Sequence, residues 1–245
     1  MKKEKIIKAI RHSGEVCLPA ATLGKLMNLP PERVSSMRLT KITQEFAKGF
    51  HFLKDYGKSA TFFGSSKTAA GEKEYEEART LAFKLAEDNF AVITGGGPGI
   101  MEAANRGAME AKGQSVGINI QLDHTQNTNS YVKDSVSFHY FFARKVMLAF
   151  ASEVYIFFPG GFGTLDEFFE MTTLVQTRKI DPIPIILVGE SYWRSLLRWI
   201  EQDLYKKRKN IDKEDMKIYR LVKDASEASR VIKRLVKKDI IRTQP

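Results

Sequence analysis

Val154-Tyr155-Ile156-Phe157-Phe158-Pro159-Gly160-Gly161-Phe162-Gly163-Thr164-Leu165-Asp166-Glu167 is an unbroken apolar run that enters a glycine-rich turn and then a helix-like stretch. A short continuous apolar run bounded by turn residues reads as a strand buried on both faces. The same grammar occurs earlier, where Ala91-Val92-Ile93 leads into Thr94-Gly95-Gly96-Gly97-Pro98-Gly99-Ile100-Met101-Glu102. Glycines let backbone amides approach an anion closely, and the start of a helix adds unsatisfied N–H donors and a positive dipole end. Two such loops in one chain, the second ending on an acid, point to a bound nucleotide whose sugar meets a carboxylate.

Working outward from these loops, strand and helix patterns alternate from Lys58 onward. Ala60-Thr61-Phe62-Phe63 ends on Gly64-Ser65-Ser66, and Tyr75, Ala78, Leu81, Ala82 and Leu85 follow at helical spacing. Val116 to Ile120 reads as a third strand, Val136 to Tyr140 as a fourth, and Arg144 to Phe150 as a helix after it. Val154 to Phe158 and Ile183 to Val188 supply the fifth and sixth strands. This alternation predicts an α/β fold: a doubly wound, Rossmann-like parallel sheet with helices on both faces. Ligands in such sheets bind beyond the carboxyl ends of the strands, where both glycine loops, Ser65 and the Arg144 segment would emerge.

Residues 1–57 read as a small helical N-terminal extension, and 58–245 as the nucleotide-binding domain with a basic helical C-terminal tail. In the extension, Ala20 to Met27 followed by a second short helix loosely resembles a helix-turn-helix. Pro30-Pro31 in the connection is equally ordinary punctuation at a helix start, so a helical cap explains the segment as well.

The chain has 245 residues, 43% hydrophobic and 28% charged, within the range of a globular protein with one main core. No apolar run reaches the roughly 20 residues that span a bilayer, and Met1-Lys2-Lys3-Glu4-Lys5 is too charged for a signal peptide, so a cytoplasmic protein without membrane attachment is expected. The single cysteine, Cys17, excludes a disulfide within the chain and a multi-cysteine metal site, and it reads as a small semi-buried side chain. The net charge of +10 favours phosphorylated ligands. Its densest runs, Lys206-Lys207-Arg208-Lys209 and Lys233-Arg234 to Lys238, contain acids nearby and no interleaved aromatics, which fits a solvated face better than a nucleic-acid site.

Two competitors fall on spacing. A dinucleotide fingerprint counted from Gly95 and Gly97 puts Ile100 where the third glycine belongs, and Gln121 and Leu122 intervene before Asp123 after the third strand. No G-x-x-x-x-G-K-[ST] motif occurs either, which argues against a nucleoside triphosphatase.

Gly95-Gly96-Gly97-x-Gly99-x-Met101 and Pro159-Gly160-Gly161-x-Gly163-Thr164-x-x-Glu167, with Arg144-Lys145 between them, resemble the LOG ("Lonely Guy") family of nucleoside 5′-monophosphate phosphoribohydrolases, long labelled lysine decarboxylases. The resemblance covers roughly residues 58 to 200 and departs at Glu102, where a glycine often follows the methionine. It implies a Rossmann-like homodimer that hydrolyses the N-glycosidic bond of cytokinin riboside monophosphates, and in some members AMP. It also makes Arg144 and Glu167 the catalytic pair. Gly96, Gly97, Gly160, Gly161, Gly163 and Thr164 would then donate to the 5′-phosphate, with Ser65 as an addition and Gly99, Met101 and Lys145 completing the substrate-contacting set. No metal or cofactor is called for. A pyridoxal phosphate decarboxylase would need a Schiff-base lysine, and nothing singles one out.

The residue types support this chemistry independently. Glycosidic cleavage passes through an oxocarbenium-like state, so a carboxylate beside the sugar, for which Glu167 is the candidate, can either stabilise the growing positive charge or hold the ribose hydroxyls and position water. The permanently charged fork of Arg144 suits phosphate or an electrostatic role at the leaving base. Asp166 reads as a capping or surface acid turned away from Glu167, Glu102 as an exposed acid, His139 as a partly buried structural residue, and Met101 as either packing beneath its loop or lining the base pocket. The helix after Arg144 and the apolar face near Phe168 and Phe169 are the expected dimer contacts. A protein that binds or carries a nucleotide in the same cradle without cleaving it is the alternative from another class.

Overall fold

The computed structural model describes residues 30–121, 128–238 and 241. The predicted cysteine environment and the first half of the helix-turn-helix-like segment lie outside these residues. Among the described residues seven strands form one fully parallel sheet: β1 (Ser59–Phe63), β2 (Ala91–Thr94), β3 (Ser115–Ile120), β4 (Asp134–Phe138), β5 (Val154–Phe157), β6 (Ile185–Val188) and β7 (Tyr219–Val222). Their spatial order is β4-β3-β2-β1-β5-β6-β7, so the winding direction reverses between β1 and β5.

Parallel strands are covered on both faces, and side-chain alternation divides them cleanly between two cores. Ala60 and Phe62 of β1, Val92 of β2, and Val154 and Ile156 of β5 face one core with Leu81, Leu85, Ala104, Val231 and Ile232. Ile93, Tyr155 and Phe157 face the other, with Met147, Leu148, Phe168 and Trp193. The first core is closed by α2 (Lys73–Glu87), α3 (Ile100–Glu110) and α7 (Ala225–Lys237), and the second by α1 (Pro31–Leu53), α4 (Phe141–Ala149), α5 (Phe162–Gln176) and α6 (Glu190–Trp199). Trp193 is fully buried, and its indole N–H donates to Val188 O at 3.1 Å, which satisfies the one polar group it carries inward.

Several local expectations are corrected. The fourth strand spans Asp134–Phe138 rather than Val136 to Tyr140, because Tyr140 is already the residue before α4, and that helix begins at Phe141 rather than Arg144. The C-terminal region is not helical throughout. Ile200–Lys207 continues α6 as a π-helical segment, β7 then adds an edge strand, and α7 buries Ala228, Val231 and Ile232. From Pro31 the chain forms one 23-residue helix with proline in its first turn, in place of a short second helix. Phe168 is fully buried in the core and offers no surface, whereas Phe169 is 38% exposed.

Candidate active site

The reversal between β1 and β5 opens a crevice at the carboxyl ends of the strands, the place where doubly wound sheets take their ligands. A cleft of about 450 Å³ lies there. Ser65 and Lys67 after β1, Gly95 and Met101 after β2, Arg144 on α4, and Gly161, Gly163, Thr164 and Glu167 after β5 all line it. Segments up to a hundred residues apart therefore share one wall.

Backbone bonds stitch the three strand ends together through Ser65. Its amide donates to Pro159 O at 3.0 Å, and its carbonyl accepts from the Ile100 amide at 3.0 Å. Gly99 closes this join: it holds φ at +72°, and a Cβ there would stand 2.2 Å from Ser65 O. Both the backbone conformation and the close approach exclude a side chain. Behind the first loop, Thr94 donates to Asn105 Oδ1 at 2.6 Å and accepts from the Gly96 amide at 2.9 Å. Asn105 Nδ2 donates to Ser115 Oγ at 3.0 Å, and Asn129 Nδ2 donates to Gly97 O and to Asn105 Oδ1. Gly96, Gly97 and Gly99 are buried in this framework and shape the loop without lining the cleft, since the Gly96 amide is engaged by Thr94.

The second loop is more open. A Cβ on Gly161 or Gly163 would meet nothing within 4 Å, while Gly160 lies outside the lining and its carbonyl accepts from Tyr192 Oη at 2.5 Å. The Thr164 and Leu165 amides both donate to Gly161 O at 3.1 Å. The amides of Phe162 and Gly163 precede them at the head of α5, where a helix has no intrahelical acceptor to give. Helix start, glycines and cleft coincide, the arrangement that receives a phosphate.

Glu167 sits one turn into α5 and is only 6% exposed. Its Oε2 is buried with no hydrogen-bond partner, while Oε1 lies 3.6 Å from Lys145 Nζ. Burial pushes its carboxyl up to about 7; Lys145 and Arg144 pull it down, and Glu170 and Asp166 push it up. Arg144 reaches the cleft from α4, with Nε donating to Ile118 O at 2.8 Å and Nη2 to Gly95 O at 3.4 Å. Its guanidinium is held below its ordinary range by burial and partly restored by the charge of Glu167. A Cβ on Gly95 would stand 2.2 Å from Arg144 Nη2, so this glycine makes the room the arginine occupies.

Lys145 does not line the cleft. It stands behind Glu167, bonded to Asp166 at 2.5 Å and Glu170 at 2.8 Å. Burial lowers its ammonium, and these carboxylates more than offset that, holding it above the ordinary lysine range. Asp166 is thus not turned away as expected: it lines the cleft and shares Lys145 with Glu167. Glu102 is half-buried and accepts from Tyr75 Oη at 3.0 Å, contrary to an exposed acid. His139 is 7% exposed at the start of α4, outside the lining, and Met101 lines the cleft. Lys67, Phe141 and Phe162 also line it without having been singled out, because no spacing rule marks a loop lysine or an exposed phenylalanine as a wall.

Among the described residues no group of three or more His, Cys, Asp or Glu side chains is placed to hold a metal ion, and no helix is long and apolar enough to cross a membrane. A family model described as "Possible lysine decarboxylase" matches residues 101–232. A cytokinin riboside 5′-monophosphate phosphoribohydrolase of Rhodococcoides fascians is 27% identical over 148 residues, 59% of this chain and 74% of the relative. The phosphoribohydrolase LOG1 of Arabidopsis thaliana is 30% identical over 147 residues, 58% of this chain and 67% of the relative. Among solved structures, the molybdenum cofactor carrier protein of Chlamydomonas reinhardtii aligns with a TM-score of 0.54 at 20% identity, covering 74% of this chain and 98% of that one. The molybdenum cofactor binding protein of Rippkaea orientalis aligns with a TM-score of 0.53 at 21% identity, covering 73% and 95%. These structures share the fold. With both glycine loops on one crevice and more than half the chain matched by the family model, this protein belongs to the LOG family, the group described as possible lysine decarboxylases.

Proposed function

We propose that the protein hydrolyses the N-glycosidic bond of a purine nucleoside 5′-monophosphate to free base and ribose 5-phosphate. The observation that carries this reading is Glu167: a buried carboxylate on the cleft, with one oxygen unpartnered and Arg144 close enough for their charges to interact. A site that only cradled phosphate would need the amides of the second loop but not this acid.

In the proposed reaction the 5′-phosphate sits on the Phe162 and Gly163 amides with the Thr164 hydroxyl, at the dipole end of α5. The C1′–N9 bond breaks, its electron pair leaves on the purine, and the ring takes a proton. Ionised Glu167 stabilises the positive charge growing on the ribose and orients the water that adds to C1′ and gives up a proton. Arg144 supplies fixed positive charge toward the phosphate or the departing base. Two copies are proposed to associate, as the resemblance implies.

Purified protein incubated with AMP and with isopentenyladenosine monophosphate should release free base, followed by chromatography, and Glu167→Ala should stop release while AMP binding persists. Binding without base release from any purine monophosphate would replace the hydrolase by a nucleotide carrier.

A further inference from the structure

Helix α1 lies outside the residues matched by the family model, yet it grips α4 from end to end. The carboxylate of Glu45 accepts from the His139 amide at 2.8 Å and from the Tyr140 amide at 3.1 Å, the two positions that lead into α4. No side chain of the residue preceding α4 caps the helix itself. Farther along, Gly49 is buried, and a methyl there would come within 2.3 Å of Met147 Sδ and 2.9 Å of the Phe138 ring. At the far end the Phe50 and Phe150 rings meet edge to face at 6.2 Å, and at the near end Lys41 lies 5.7 Å from the Tyr140 ring centre.

A nine-residue helix does not hold its own geometry in water, so its position comes from what packs on it. A carboxylate at its start also opposes the positive dipole end. This short helix carries both Arg144, on the cleft, and Lys145, behind Glu167.

We propose that α1 is a brace for the active site, with Glu45 as the positioning residue that sets α4 so that Arg144 and Lys145 face Glu167. The proposal rests on the hydrolase reading for its effect on turnover, but the brace itself is measurable without it. Glu167 is surrounded by Arg144 and Lys145 from α4, Asp166 and Glu170 from its own helix, and Tyr155 from β5, so a displaced α4 removes the cations and leaves the acids.

The test uses the full chain as wild type, Glu45→Ala, Glu45→Gln and the exposed control Lys48→Ala. Hydrogen exchange at residues 139–149 and the pH dependence of base release from AMP are recorded for each. Glu45→Ala should speed exchange across α4, lower kcat about tenfold with KM changed less, and move the acid limb of the profile to higher pH. Glu45→Gln, which keeps an acceptor for one amide, should recover most of the activity, and Lys48→Ala should match wild type. If Glu45→Ala does not fold, Gly49→Val, a wedge between α1 and Met147, should produce the same loss and the same shift.

Faster exchange with kcat and acid limb unchanged would make Glu45 a stabilising cap only and overturn the proposal. If wild type releases no base, the hydrolase reading fails on its own, and unchanged exchange over 139–149 in Glu45→Ala would then overturn the brace.

Discussion

Glu167 combines two properties that pull against each other. Its carboxyl, raised from the ordinary 4.5 to about 7 by burial, is charged at the expense of folding. The sign follows from proton binding: between pH 4.5 and 7 the folded protein holds a proton that the unfolded chain has released. Stability from this group is therefore fully present below pH 4.5 and is lost as pH rises through 7. At pH 8 the penalty is on the order of 3 kcal/mol. Glu167→Gln should accordingly raise the melting temperature at pH 8 by several degrees, and by little at pH 4.5, while lowering kcat for base release by at least about a hundredfold. Calorimetry at the two pH values checks the first part, and a Gln variant less stable than wild type at pH 8 contradicts it.

The same group predicts the pH profile. Only the ionised carboxylate stabilises a cationic ribose, so kcat/KM for AMP should fall with a slope of one proton below about pH 7. A flat profile between pH 5 and 8 would exclude Glu167 as the titrating group. Arg144→Lys should not rescue function, because an ammonium cannot keep the paired bonds to Ile118 O and Gly95 O. Titration calorimetry and rates together would show whether binding or turnover is lost.

At the scale of elements, the first glycine loop depends on a buried polar network rather than on glycine alone. Asn105 on α3 is fully buried and joins Thr94 on β2, Ser115 on β3 and Asn129 beside the loop. Asn105→Ala would leave several of these groups unsatisfied, at a cost of about 2–3 kcal/mol. Urea denaturation should show the loss, and AMP should bind more weakly because Gly95 and Met101 lose their support. Stability within about 0.5 kcal/mol of wild type would show that the network reorganises freely.

Element by element, the strands flanking the site were legible because parallel strands buried on both faces are continuous apolar runs, as in Ala91–Thr94 and Val154–Phe157. The strand Tyr219–Val222 was not. It is four residues long with an exposed Arg220, lies at the sheet edge, and sits between lysine-rich segments that read as a solvated tail. The amphipathic α7 was hidden by its own lysines, which cover the face opposite Ala228, Val231 and Ile232.

On the whole molecule, Phe141 and Phe142 of α4 and Phe150 just after it are between 47% and 57% exposed, beside Phe50 of α1 at 49%. The proposed dimer should use this surface and not Phe168, whose ring contacts Phe157, Trp193 and Tyr219 in the core. Sedimentation equilibrium should report twice the 27.8 kDa chain mass, and Phe150→Asp should shift the population toward monomer. A monomer in wild type at micromolar concentration would refute the association.

The amino-acid sequence alone determined the parallel doubly wound class, the two glycine loops and the candidacy of Arg144 and Glu167. Each is encoded locally, by an apolar run, a glycine spacing or a residue type. Only the tertiary structure decided that Gly96 and Gly97 frame their loop instead of lining the cleft, that Lys145 stands behind Glu167, and that Glu45 caps the helix bearing Arg144. Those facts depend on which amides are already bonded and on contacts between separate elements, such as Lys145 of α4 with Glu167 of α5 and Glu45 of α1 with the His139 amide, and no short-range pattern carries that information.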